Sequence, residues 1–272
     1  MHDSALDKAR SFRNAYLAEV EQTPLVILDV GSAIAEPNQK SNRDVMSNPN
    51  WRLLGIDIEP GLNVDIVVTN PYDWTEVATA SVDVVTCSEV FEHAEFFWIT
   101  MLEIARVLKT NGLVFITSPS SGPLHRFPVD CWRFYDDAFQ ALAKYAQLNL
   151  LESQVQWAPA YQKGIQWRDC SAVLQRPVRS PAEEAVAFAR IVAGKMLARR
   201  NVQVDDLADV PLGPPQIEVS SIASMTDKHA FAQREAELLN STSSIRRKEH
   251  LILRHVREIG RIVRLPLDQI RV

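Results

Sequence analysis

A run of four apolar residues, Leu25 to Leu28, leads into an acid, Asp29, and then a glycine, Gly31. Uniform apolarity asks for cover on both faces, as a buried parallel strand receives. An acid and a glycine at its end suit delivery of the chain to a ligand at the carboxyl edge of a sheet. Gly31 permits a tight turn and a close backbone approach, and Asp29 can accept hydrogen bonds from a cationic or hydroxylated ligand. Such a strand end occurs in α/β domains of many kinds, so its neighbours must decide its meaning.

The neighbours repeat the pattern. Leu6, Ala9, Phe12, Tyr16 and Val20 recur at helical spacing, which predicts an amphipathic helix over 4–20 that Thr23-Pro24 stops. Strands are expected at 25–30, 52–57, 64–68, 81–87 and 113–117, with a short helix around 40–47. Phe97, Met101, Ile104, Ala105 and Leu108 share one face of a helix over 96–108, closed by Asn111-Gly112. Asp136 opens another helix that runs to about Lys144. Alternating strands and helices predict an α/β domain with a doubly wound, mostly parallel sheet. Beyond residue 176 the pattern becomes helical. Ser180-Pro-Ala-Glu183 is a capping box with proline at the first helical position, opening a helix to about Arg200. The expected division is a domain over 1–176 and a C-terminal α-helical appendage over 177–272.

Charge adds to that division. The net charge is −5, which gives no global pull toward nucleic acid, but residues 1–175 hold the acid excess and the remainder is basic. The 3 cysteines, Cys87, Cys131 and Cys170, form no CxxC pair. They argue against a disulfide framework or a zinc site and fit a cytoplasmic, reducing location. The first residues lack an apolar signal core, and no apolar run approaches membrane-spanning length.

In order, the strand ends read Asp29-x-Gly31-x-Ala33, then Asp57, Asn70-Pro-Tyr-Asp73 and Cys87-Ser-Glu-Val-Phe-Glu-His93. Glu103-Ile-Ala-Arg-Val-Leu-Lys-Thr-Asn-Gly112 leads into the fifth strand. Over residues 24–150 this resembles the class I S-adenosylmethionine-dependent methyltransferases of small-molecule type, most specifically from Ser81 to Ser118. The resemblance implies a seven-stranded Rossmann-like sheet and S-adenosylmethionine as cofactor. It implies cofactor contacts from Asp29, Gly31, Ser32, Ala33, Asp57, Ile58, Asn70, Tyr72, Cys87 and Glu89. Chemistry agrees. Asp57 can accept from both ribose hydroxyls, as the acid of dinucleotide folds does, and Ile58 can cover an adenine face. Asp29 and the Gly31 backbone would face the amino acid end. Two departures stand out. Ala33 and Ala35 replace the second and third glycines of the family loop, which alanine tolerates at negative φ. Asn70-Pro71 replaces an Asp-Ala pair. Asn70 can still accept from the adenine amino group, but Pro71 has no N–H, so another amide such as that of Tyr72 must donate.

His125-Arg-Phe-Pro-Val-Asp-Cys-Trp-Arg-Phe-Tyr135 follows the fifth strand. It resembles an H-x-x-P-x-D-x-W-R-F block of methyltransferases in bacterial surface-polysaccharide and glycan clusters. The reading is O-methylation of a sugar, glycan or other small-molecule hydroxyl. His125 is the leading general base, with Asp130 to orient it and His93 as second candidate. The blander alternatives make His93 a buried, hydrogen-bonded histidine, Trp132 and Phe134 core, and Arg133 a partner of Asp130 or Asp136. No spacing signals a metal held by His93, His125 and an acid. A nicotinamide-dependent oxidoreductase suits Asp57 but lacks the glycines of a pyrophosphate seat. A non-catalytic methyltransferase-like scaffold is the other alternative. Arg247, Arg254, Arg257, Arg261 and Arg264 line one side of a helical tail, Ile245 to Leu265. Such a helix can lie on the inner face of an anionic membrane, or pack on the domain or a second subunit.

Overall fold

The computed structural model describes residues 2–34, 38–156 and 166–199. The expected tail helix lies outside these residues.

Seven strands form one sheet: β1 (Leu25–Val30), β2 (Trp51–Asp57), β3 (Ile66–Val67), β4 (Val82–Ser88), β5 (Leu108–Pro119), β6 (Asn149–Val155) and β7 (Asp169–Gln175). Their order is β3-β2-β1-β4-β5-β7-β6. β7 runs antiparallel to both its neighbours, and the remaining strands are parallel to one another. The order reverses between β1 and β4, which opens a crevice for ligands at the carboxyl edge.

Helices cover both faces. Alternate residues of a strand point to opposite sides. Ile27, Val84, Phe115 and Val173 therefore pack with Leu6, Ala9 and Phe12 of α1 (Asp3–Phe12), while Leu28, Val85, Val114 and Leu174 join a second cluster. That second cluster includes Met101, Leu102 and Ile104 of α3 (Phe97–Val107) and Phe139 of α4 (Asp136–Ala146). The short α2 (Asn42–Val45) lies between β1 and β2 in the chain. This two-sided burial explains the apolar run Leu25–Leu28 of β1.

Several expected boundaries move. The first helix is α-helical only over Asp3–Phe12 and continues as wider and tighter turns to Val20. Helix α3 ends at Val107, short of Asn111-Gly112, because Leu108 is already extended and pairs with Val82. Asn111 does take a left-handed φ of 65°, but within β5, where its N–H donates to Arg176 O (2.8 Å). Strand β3 is reduced to two residues because only Ile56 and Asp57 of β2 pair with it. β6 and β7 were not read from hydrophobic pattern; half of β6 faces solvent as an edge strand.

The capping box is formed: Glu183 accepts from the Ser180 N–H (2.7 Å), and Ser180 Oγ accepts from the Glu183 N–H (3.4 Å). It opens α5 (Pro181–Arg199). One compact unit spans Met1–Asn201, so this first helix of the expected appendage belongs to it. Lys195 of α5 is fixed by Asp73 (2.6 Å) and by Glu103 of α3 (3.0 Å). Among the described residues, no helix is long and apolar enough to cross a membrane.

Glu103 is fully buried and anchors the turn after β3. It accepts from Arg106 Nη2 (2.8 Å) and from the Trp74 N–H (2.8 Å), while Arg106 also donates to Trp74 O and Val77 O. Removing Arg106 leaves Glu103 with Lys195 as its other cation and takes a donor from the buried Trp74 and Val77 carbonyls. Arg106→Leu should therefore lower stability by about 3–5 kcal/mol in urea denaturation, and adding Glu103→Gln should recover part of the loss. A double variant no more stable than the single one would show that the guanidinium acts through its backbone bonds instead.

Candidate functional site

Three strand ends build one side of the crevice. After β1 the chain turns at Gly31 (φ 71°), where a Cβ would lie 2.3 Å from Val90 Cγ2. No side chain fits there. Among the described residues of this loop only Gly31 has a positive φ, so Ala33 sits at the negative φ its side chain needs. Asp57 ends β2 and closes on the loop: Oδ2 accepts from the Ala33 N–H (2.9 Å) and Oδ1 from the Ile58 N–H (2.7 Å). Ile58 is 47% exposed beside it. Ser32 is buried, and its Oγ has no hydrogen-bond partner. After β3, Asn70 Oδ1 accepts from the Tyr72 N–H (2.9 Å), so those two groups satisfy each other in a turn. Tyr72 also stacks near Phe96, whose N–H donates to its hydroxyl (3.2 Å).

Asp29 is buried rather than open at the strand end. Its Oδ1 accepts from Thr86 Oγ1 of β4 (2.7 Å) and from Asn42 Nδ2 of α2 (2.8 Å). Burial raises its pKa to about 6, against the pull of these two bonds. Cys87 lies in the core of β4, where burial pushes its thiol well up. Glu89, the next turn, takes a left-handed φ of 57°, uncommon for a residue with a side chain. Thr117 of β5 holds it by two bonds, Glu89 N–H to Thr117 O (2.9 Å) and Thr117 Oγ1 to Glu89 Oε1 (3.0 Å).

On the other side, the segment after β5 folds back onto the end of β4. The amides of Cys131 and Trp132 donate to Glu92 O (2.7 and 3.3 Å). This brings the His125 and His93 rings to 4.8 Å. His93 Nδ1 lies 2.6 Å from Val129 O. Burial holds the His93 pKa down despite that bond, so the ring is neutral near pH 7. Asp130 Oδ2 accepts from the His125 N–H (2.7 Å) and lies 3.4 Å from its Nδ1. Arg133 clamps both Asp130 oxygens (2.5 and 2.8 Å) and keeps that carboxyl well below the usual carboxylate range. The Trp167 ring lies tilted by 38° against His125, with centroids 4.4 Å apart. Phe134 is core against Phe91, Phe97 and Phe139, whereas Trp132 is 39% and Phe127 67% exposed.

The arrangement thus brings His93, His125 and Asp130 together, and gathers Gly31, Ser32, Ala33, Asp57 and Ile58 on the opposite side. Sequence reading passed over Glu92, fully buried beside His93, although its place in Glu-Val-Phe-Glu-His was in plain view. It also passed over Asn42 and Thr86, which no local pattern marks.

Comparison with known proteins bears on the fold. Residues 28–116, from Leu28 in β1 to Ile116 in β5, match the family of methyltransferase domains. No curated protein matches the sequence. Among solved structures, the chain is similar to a Burkholderia thailandensis 1,6-didemethyltoxoflavin-N1-methyltransferase bound to its substrate and S-adenosylhomocysteine. Identity is 14%, coverage is 65% of this chain and 80% of that one, and the TM-score is 0.50. The cyclase SpnF follows with 13% identity, coverage of 64% and 82% and a TM-score of 0.48. The Bacillus subtilis protein YcgJ has 12% identity, coverage of 65% and 100% and a TM-score of 0.44. Residues 28–116 match methyltransferase domains and lie in a Rossmann-like sheet, and the Burkholderia structure that shares this fold holds S-adenosylhomocysteine, the demethylated form of S-adenosylmethionine. The unpartnered Ser32 hydroxyl and the Asp57 carboxylate are polar groups that suit it.

Asp29 should make stability pH-dependent. Its folded pKa, about 6, lies above the ordinary 3.8. Between these values the folded chain holds a proton that the unfolded chain releases. The stabilisation is full below the lower value and is lost as pH rises through the upper one. Asp29→Asn should flatten the fall in urea-unfolding free energy over that interval; an unchanged slope would mean that the buried carboxyl is ionised throughout.

Proposed function

We propose that the chain is an S-adenosylmethionine-dependent methyltransferase acting on a hydroxyl of a small molecule, a sugar or glycan above all. The observation that carries this reading is the imidazole pair His93 and His125 on the side of the carboxyl edge opposite Asp57, with Asp130 fixed behind it. When bound, S-adenosylmethionine supplies a methyl group activated by a positively charged sulfur.

Asp57 would accept from the ribose hydroxyls, with Ile58 against adenine. Gly31, Ser32 and Ala33 would line the amino acid end together with Asp29, whose carboxyl a cationic neighbour would draw back toward ionisation. Asn70 and Tyr72 would meet the adenine edge once their mutual bond opens, and Cys87 and Glu89 would form the floor at the end of β4. On the acceptor side, the exposed faces of Phe127, Trp132 and Tyr135 offer flat apolar surface to a sugar ring. His125 takes the hydroxyl proton. Asp130, kept ionised by Arg133, lies by Nδ1 and favours the tautomer in which Nε2 is the basic atom. His93 beside it is neutral and adds a second nitrogen. Holding acceptor and methyl donor in line contributes the rest.

Asp57→Ala should weaken S-adenosylmethionine binding by about 2–3 kcal/mol, the worth of a pair of charge-assisted bonds, with the fold intact. Calorimetry is the measurement, and full affinity in the variant would remove Asp57 from the cofactor site.

His125→Ala should lower kcat by roughly 10²-fold or more, within the range for loss of a general base, and leave cofactor affinity unchanged. Steady-state kinetics on a panel of sugar and lipid-linked glycan acceptors, with His93→Ala alongside, is the test. Turnover lost only in His93→Ala would reassign the base.

A further inference from the structure

We infer that Glu92, His93 and His125 form a binding site for a divalent transition-metal cation. Glu92 is fully buried, and neither of its oxygens accepts a hydrogen bond from another residue. A buried carboxylate without donors is costly unless it takes up a proton or a cation meets it, and burial does push the Glu92 carboxyl well up. His93 points at it. Nε2 of His93 lies 3.6 Å from Glu92 Oε1, while Nδ1 faces Val129 O at 2.6 Å. A carbonyl can only accept, so Nδ1 carries the hydrogen and Nε2 presents its lone pair to the carboxylate. Nε2 and the carboxyl therefore face each other with only a proton or a cation able to join them, and the 3.6 Å separation is wider than a direct hydrogen bond.

His125 completes the set. Its Nδ1 is turned to Asp130, which leaves Nε2 as the nitrogen for a ligand. One ligand atom from each of Glu92, His93 and His125 lies within 4.8 Å of the others. Bonds to a first-row ion are about 2.0–2.2 Å, so an ion would draw the three inward. Both imidazoles also have the outer partners that orient metal-bound histidines, a backbone carbonyl for one and a carboxylate for the other. Two imidazoles and one carboxylate suit first-row transition metals better than magnesium or calcium, and three protein ligands leave positions open for a substrate oxygen. Local charge agrees: Glu89, Glu92 and Asp130 face one Arg133.

A second trio, His2, Glu89 and Asp169, is different. There His2 and Ser4 already bond the two Asp169 oxygens, and Lys8 stands 3.5 Å away, so the charge is met.

The inference rests on the proposed acceptor side and, where the ion is bound, replaces the general-base role of His125 by ligation. An ion there would hold the acceptor hydroxyl and ease release of its proton to water, with His125 as ligand instead of base. Its test needs neither cofactor nor acceptor. Chelator-stripped full-length protein is titrated with Mn²⁺ and separately with Zn²⁺ by calorimetry, and the ring signals of His93 and His125 are followed by NMR with Mn²⁺. One saturable site per chain and selective broadening of both rings are expected. Glu92→Gln, which keeps side-chain size, and His93→Ala should each weaken binding by at least roughly 100-fold, the upper end of the cost of losing even an outer partner. Circular dichroism and thermal melting verify that the variants are folded. His2→Ala should leave ion affinity unchanged. No saturable binding, undiminished binding in both Glu92→Gln and His93→Ala, or binding lost in His2→Ala overturns the site. Failure of methyl transfer itself would show instead in the Asp57 and acceptor-panel experiments.

Discussion

A carboxyl group has to be kept in the interior at the end of the first strand, and the carboxyl edge of the sheet is arranged to meet that demand. Asp29 cannot reach water, so Thr86 comes from the adjacent strand β4 and Asn42 from α2 to bond it. Asn42 also donates to Ser88 Oγ at 3.1 Å, which draws the end of β4 into the same network. Two strands and a helix are thereby fixed relative to one another at the point where the strand order reverses. Gly31 can then turn sharply under Val90, and Asp57 can close over the loop from the next strand.

The opposite side depends on a second fold-back. Residues after β5 return to the end of β4, where Glu92 O receives two amides and Pro119 O receives that of Phe134 (2.9 Å). The core position of Phe134 anchors this segment, while Arg133 and Asp130 brace it from within. A neutral His93, a braced His125 and a donorless Glu92 are the outcome. Each alone has an ordinary structural explanation. Together they concentrate basic nitrogen and negative charge at one spot, which is what handling a hydroxyl proton or a cation requires.

Helix α5 is tied to the sheet domain by charge as well as by the apolar packing of Ile191. Lys195 reaches Asp73 and Glu103, and so links the helix to the buried network that holds the turn after β3. A composition shift near residue 176 marks a change in pattern, but α5 lies in the same compact unit as the sheet.

The parallel part of the sheet was legible because strands covered on both faces are largely apolar, as the runs at Leu25–Leu28 and Leu113–Ile116 are. The capping box at Ser180 was legible because its two bonds span only three residues. Strand β6 was not, since an edge strand with one wet face carries a weak pattern. The end of α3 was misjudged because Asn111 takes its left-handed turn for a strand, not for a helix cap. Residue types at the strand ends, Asp29, Asp57 and the Glu-Val-Phe-Glu-His run, were fixed by local chemistry and could be read directly. That Asp29 is sealed by Thr86, that His93 meets His125 across more than thirty residues, and that Glu92 is left without a donor were decided only by the tertiary structure. Those relations depend on strand register and loop return, which no nearby residues encode.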